Sequence, residues 1–167
     1  MPSPPTNVAA PLCVVTMTLI VADVARSQAF YRDVFGATVL RESDASLGDP
    51  AYLRLGNIWL SINVGGGPTD DKPEVIAPPP QHPNELSGFM NLRVTDIARF
   101  YELWRSRGAT IITAPKVHVS EIRCYIRDPD GYIIEVGQAN FTASGHIPGL
   151  RKRSLCGVSY STWRQVC

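Results

Sequence analysis

Two stretches decide the fold: Val21-Ala-Asp-Val-Ala-Arg26 and Val94-Thr-Asp-Ile-Ala-Arg99. They are near-copies of one another. A second matched pair follows, Gly36-Ala-Thr-Val-Leu40 and Gly108-Ala-Thr-Ile-Ile112. The separation is 73 residues for the first pair and 72 for the second, so one deletion in the second copy's helix reconciles them. Two copies of roughly 60 residues are too few for a solenoid and point to a duplicated module.

Each copy reads in the same order. Thr16 to Val21 and Phe89 to Val94 alternate as strands do. Met17, Leu19 and Val21 share one face of the first, and Met90, Leu92 and Val94 share one face of the second. Asp23 and Asp96 follow as helix N-caps, positioned to accept the amide hydrogen bonds that a first turn leaves unmade. Helices with apolar stripes come next: Val24, Phe30, Val34 and Phe35 in one copy, and Ile97, Phe100, Tyr101 and Trp104 in the other. Gly36 and Gly108 stand where a left-handed C-cap is wanted. Three strands then complete each copy. They are expected at residues 37–41, 51–55 and 57–64 in the first, and at 109–113, 122–127 and 132–137 in the second. Asp128-Pro-Asp-Gly131 is a turn signal between the last two.

The expected fold class is therefore α+β, two tandem βαβββ modules whose curved, mixed sheets form a cleft. Module one spans residues 14–64 and module two residues 88–140 of one domain. Residues 65–87 hold six prolines and three glycines and read as a linker without regular elements. Residues 1–13 read as a Pro-rich tail, and residues 141–167 as a basic one. The latter carries Arg151, Lys152, Arg153 and Arg164 against no carboxylate.

Bulk properties exclude several classes. A net charge of +1 gives no field for nucleic acid. No apolar run approaches the ~20 residues of a membrane span. No basic and apolar leader opens the chain, so a cytoplasmic location is expected. The four cysteines lack CxxC or zinc-ligand spacing and read as reduced thiols. There is no Gly-x-Ser-x-Gly elbow, and Gly65-Gly-Gly67 is followed by proline, so it is no phosphate loop.

The faces locate a pocket. In residues 57–64, Ile58, Leu60, Ile62 and Val64 form an apolar set, and Asn57, Trp59, Ser61 and Asn63 oppose them. Phe89, Asn91 and Arg93 oppose the apolar set of their strand, as Glu135 opposes Ile134 and Val136. Concave faces lined by aromatics and a few polar groups are the default ligand sites.

With Val21-Ala-Asp-Val-Ala-Arg-Ser-Gln-Ala-Phe-Tyr-Arg-Asp-Val-Phe-Gly36 and Arg127-Asp-Pro-Asp-Gly-Tyr-Ile-Ile-Glu135, the chain resembles the vicinal-oxygen-chelate superfamily. That superfamily includes glyoxalases, bleomycin-resistance proteins and ring-cleaving dioxygenases. Its metal-dependent members place His or Glu on the first strand of each copy, and Glu, Gln or His on the last. Carried over, those positions fall on Thr16, on Phe89, on Trp59 or Ser61, and on Glu135. One carboxylate does not make a divalent site. His82, His118 and His146 lie in linker, loop and tail. No metal and no cofactor is therefore expected.

The first functional reading is a metal-free binder of a small organic ligand, an antibiotic or aromatic metabolite, of the bleomycin-resistance type. Its ligand-binding set is Thr16, Trp59, Ser61, Asn63, Phe89, Asn91, Arg93 and Glu135. Trp59 and Phe89 read as stacking platforms or as core, and Glu135 as a partner for Arg93 or as a catalytic base. The second reading is an enzyme: a lyase or dioxygenase with an atypical metal site, or a metal-free one using Glu135 as base. A structural module with an idle cleft is the third. The resemblance also implies a homodimer.

Overall fold

A computed structural model describes residues 15–139 apart from residue 83. The two tails, both domain ends, His146, Cys13, Cys156 and Cys167 lie outside the described residues.

The duplicated order is present. Module one runs β1 (Thr16–Val21), α1 (Val24–Asp33), β2 (Thr38–Arg41), β3 (Ala51–Leu55) and β4 (Ile58–Val64). Module two runs β5 (Met90–Arg93), α2 (Ile97–Ser106), β6 (Thr110–Val117), β7 (Glu121–Arg127) and β8 (Ile133–Ala139). Each module makes one mixed four-stranded sheet, in the orders β1-β4-β3-β2 and β5-β8-β7-β6. β1 pairs parallel with β4, and β5 with β8; the other pairings are antiparallel.

Local chemistry accounts for these elements. Asp23 and Asp96 cap α1 and α2, their carboxylates accepting from the Arg26 and Arg99 amides at 3.0 Å each. Gly36 and Gly108 take φ of 76° and 90° beyond the two helices, where a side chain would be strained. One face of each sheet packs on its helix. Leu19, Val21, Leu53, Leu60 and Ile62 are fully buried in module one, as are Cys124, Ile126, Ile134 and Val136 in module two. Phe35, just past α1, meets Trp104 of α2 edge to face at 4.8 Å, joining the two cores.

The turn between β7 and β8 also ties the modules together. Asp130 accepts from the Ala22 amide at 2.8 Å, from Arg26 at 2.7 Å and from the Ser27 hydroxyl. Asp128 accepts from the Tyr31 hydroxyl at 2.9 Å. The Tyr132 hydroxyl accepts from the Ile20 amide and donates to the Ile20 carbonyl, at 2.9 and 3.0 Å.

Two expectations need correction. β6 continues to Val117 instead of stopping at Thr113. Register irregularities between Ile111 and Thr113, and between Thr113 and Lys116, carry the strand past Pro115, which cannot donate to a regular ladder. The linker is also not featureless. Gly66 bridges Ala77 and Thr69 bridges Lys72, so the segment folds back on itself. Gly65 permits this, because a Cβ there would overlap the Ala77 carbonyl.

Candidate functional site

The faces turned away from the helices hold every residue expected in the ligand set, in two groups of four. Thr16, Trp59, Ser61 and Asn63 lie on the sheet of module one. Register sets Thr16 beside Trp59, Thr18 beside Ser61 and Ile20 beside Asn63. On the other flank, β3 brings Arg54 beside Trp59 and Tyr52 beside Ser61. Trp59 is 44% exposed while its neighbours Leu60 and Ile62 are fully buried, which fixes the direction of the strand.

Phe89, Asn91, Arg93 and Glu135 belong to module two. Phe89, just before β5, is 46% exposed. Glu135 is buried and both its oxygens are engaged. Oε1 accepts from the Asn91 amide at 2.5 Å, and Oε2 from the Tyr125 hydroxyl at 2.6 Å. This bond, above all, raises the Tyr125 pKa, since deprotonation would set a phenolate against a carboxylate. Arg93 pairs with Glu121, not Glu135: its Nη1 donates to Glu121 Oε2 at 2.5 Å. Arg123 Nη1 lies 3.4 Å from the other oxygen. Asn91, paired directly with Glu135, is the nearer donor to it, and Glu121 at the start of β7 faces Arg93 across β8.

Sequence reasoning passed over Tyr125 and Arg123, and it weighed Glu121 only with His118, as a rearranged metal site that no spacing recommends. Tyr125 was within reach: counting outward along the hairpin from the Asp128–Gly131 turn pairs it with Glu135. Glu121 had no such signal, because it fell outside the expected strand. Among the described residues, no hydrogen bond joins the module-one group to the module-two group. Hollows of about 390 and 420 Å³ lie elsewhere, along the linker. The first is lined by Val64, Ile76 and Pro79, the second by Pro80, His82 and Tyr132, and neither includes an expected site residue.

The family model for the glyoxalase/bleomycin resistance protein/dioxygenase superfamily matches residues 14–136. The chain belongs to that superfamily. Among curated relatives, a metallothiol transferase FosB of Staphylococcus haemolyticus is 47% identical over 47 residues, a stretch that is 28% of this chain and 31% of that one. The FosB of Shouchella clausii is 28% identical over 123 residues, covering 72% and 75% of the two chains. Among solved structures, TnmS3, an antibiotic binding protein from Streptomyces sp. CB03234, is similar at TM-score 0.58 and 20% identity, covering 78% of this chain and 98% of that one. A mutant of the fosfomycin resistance protein FosX from Listeria monocytogenes, complexed with Mn(II) and 1S,2S-dihydroxypropylphosphonic acid, is similar at TM-score 0.57 and 15% identity, covering 79% and 95%. At such identities the structural likenesses speak for the fold alone.

The superfamily includes metal-dependent members, and the residues here do not fit a divalent ion. Phe89 and Trp59 offer no ligand atom, and Thr16 and Ser61 offer only weakly ligating hydroxyls. Glu135 has its oxygens committed to Asn91 and Tyr125. Among the described residues, no three His, Cys, Asp or Glu side chains cluster as a metal site would need. His82 and His118 are exposed in the linker and the β6–β7 turn. Among the described residues, no helix is long and apolar enough to cross a membrane.

Proposed function

We propose that this protein binds a small organic ligand, an antibiotic or aromatic metabolite, without a divalent metal ion. The observation that carries the reading is the half-exposed state of Trp59, on the open face of β4, and of Phe89, just before β5, near hydrogen-bonding side chains such as Ser61 and Asn91. Large aromatics held open to solvent beside fixed polar groups are the make-up of a stacking site. In this reading Glu135 is an acceptor that orients Asn91 and Tyr125, not a base, since both its oxygens are engaged. A thermal-shift screen of antibiotics and aromatic metabolites, run in EDTA, tests it: a ligand should raise the melting temperature of the wild type and fail to do so in Trp59→Ala. Stabilisation that appears only after adding a divalent ion would overturn the metal-free reading.

The site is proposed to be completed by a second copy in a homodimer. Each sheet has two edges, and they are not equally open. β2 and β6 carry register irregularities, and β6 adds Pro115 and Lys116, devices that blunt an edge. β1 and β5 pair regularly with their neighbours and lie at the other edges. In a two-fold dimer, β1 of each copy lies along β5 of its partner, bringing a module-one face beside a module-two face. Light scattering should give twice the chain mass at micromolar concentration; a monomer mass throughout that range would refute the arrangement.

A further inference from the structure

Register across the sheet of module two sets three cations in one row. Arg93 of β5 lies beside Gly137 of β8, Gly137 beside Arg123 of β7, and Arg123 beside Lys116 of β6. Cross-strand neighbours share a face, and like charges so placed repel. One carboxylate, Glu121, answers them by dividing its oxygens between Arg93 and Arg123. Glu135 occupies the next row, taken up by Asn91 and Tyr125, so the face keeps an excess of positive charge. Each guanidinium carries several N–H donors, and among the described residues one Nη1 donor of each is engaged. The Arg93 side chain is only 23% exposed, and Arg123 36%, so these remaining donors are half-withdrawn from water. Gly137 makes the arrangement possible, because a Cβ there would overlap the Arg93 guanidinium.

We propose that this row receives an oxyanion of the ligand directly, through guanidinium N–H donors and with no bridging metal ion. The inference rests on the reading of this face as a ligand site, and it narrows the ligand to an organic acid. Two neighbouring guanidinium groups, that of Arg93 laid over Gly137 and that of Arg123 beside it on β7, can grip a carboxylate or a phosphonate by charge-assisted hydrogen bonds. Lys116 adds charge at the outer end of the row. Gly137 is a positioning residue, since it touches no ligand but leaves room for Arg93.

Calorimetric titration of the full chain in EDTA with phenylphosphonate, benzoate and benzyl alcohol provides the test. At least one acid should bind about tenfold more tightly than the alcohol, with an affinity that falls as salt rises. Whichever acid binds better identifies a tetrahedral or a planar head group. Arg93→Met and Arg123→Met should each shrink the acid's advantage over the alcohol about tenfold. Arg123→Met is the safer of the two for folding because Arg123 is the more exposed, and circular dichroism checks both. Gly137→Ala should weaken the acid and flatten its salt dependence, which a merely structural change would not do. Equal binding of all three probes, acid binding indifferent to the arginine variants, or acid binding that needs a divalent ion would overturn the inference. Alcohol binding lost in Trp59→Ala, with no preference for acids, would leave the ligand-site reading standing and remove this one. Silence from all three probes at millimolar concentration counts against both.

Discussion

The two modules share a register but not a surface. Thr18–Ser61–Tyr52 forms a row across the sheet of module one, and Asn91–Glu135–Tyr125 forms the matching row of module two. The tyrosine recurs, while a hydroxyl has its counterpart in a carboxylate. One row further, Ile20–Asn63 in module one corresponds to Arg93–Gly137 in module two, neutral against cationic. Beneath these faces the buried residues stay alike: Leu60 and Ile62 correspond to Ile134 and Val136. A packed face admits few changes of volume or polarity, whereas the opposite face of the same strands is free to vary. Duplication thus gave one scaffold and two chemistries, aromatic and hydroxylic on one sheet, ionic on the other.

The contrast between packed and open faces is broken most severely at adjacent residues of one strand. Leu60→Ala should cost about 2–5 kcal/mol of stability, by lost burial and a residual cavity. Trp59→Ala should cost the fold less than about 1 kcal/mol while removing most ligand affinity, on the order of 1–3 kcal/mol. Urea melts and ligand titrations on both variants check this. If Trp59→Ala melts far below the wild type and Leu60→Ala does not, the faces are reversed.

The modules also differ in who holds whom. The carboxylate of Asp130 reaches into module one, so Asp130→Ala should leave the Ala22 amide and the buried Ser27 hydroxyl without an acceptor. A loss of about 2–3 kcal/mol is expected, read as a lower urea midpoint. A midpoint within error of the wild type would show that water replaces the carboxylate.

Smaller effects sharpen the Ser61–Glu135 pair. Glu135→Gln keeps an acceptor and a donor between Asn91 and Tyr125, and should change stability by about 1 kcal/mol or less. Elemental analysis should find no stoichiometric zinc, nickel, iron or manganese in either wild type or variant. About one such ion per chain, removed by Glu135→Gln, would contradict the proposed metal-free site.

The smallest effect is a pH dependence. Burial raises the Asp128 pKa in the folded protein, with no group in module one's own short turn to match it. A raised folded-state pKa means that the contribution is fully present below the ordinary aspartate range and is lost as pH climbs through the folded-state value. Wild type should therefore gain on Asp128→Asn as pH falls through that window. Parallel stability profiles for the two proteins would show that Asp128 does not titrate there.

Much of this was legible in the sequence because it rests on local patterns. Alternation in residues 58–64 put Trp59 and Leu60 on opposite faces, and Asp23 and Asp96 announced their helices by position alone. The site chemistry was less legible. Arg93 meets Glu121 across an intervening strand, and Asp130 meets Arg26 across 104 residues. Such pairings depend on how sheets and modules pack, which no short window encodes. The strand expected to end at Thr113 runs on through Pro115 to Val117, and the register irregularities accommodate the proline.

One hydroxyl group has a consequence for how far two chains can zip together. Tyr132 occupies both the amide and the carbonyl of Ile20, the next-to-last residue of β1, and so does the work of one rung of an incoming strand. The Ile20 groups face outward, and by alternation those of Thr18 and Thr16 do too. An added strand can therefore climb β1 from Thr16 to Thr18 and no further. In the proposed dimer, Tyr132 would set the length of the seam from within the chain. With that hydroxyl deleted, the ladder would run one rung longer, and a strand one notch out of step would find as good a hold as the correct one.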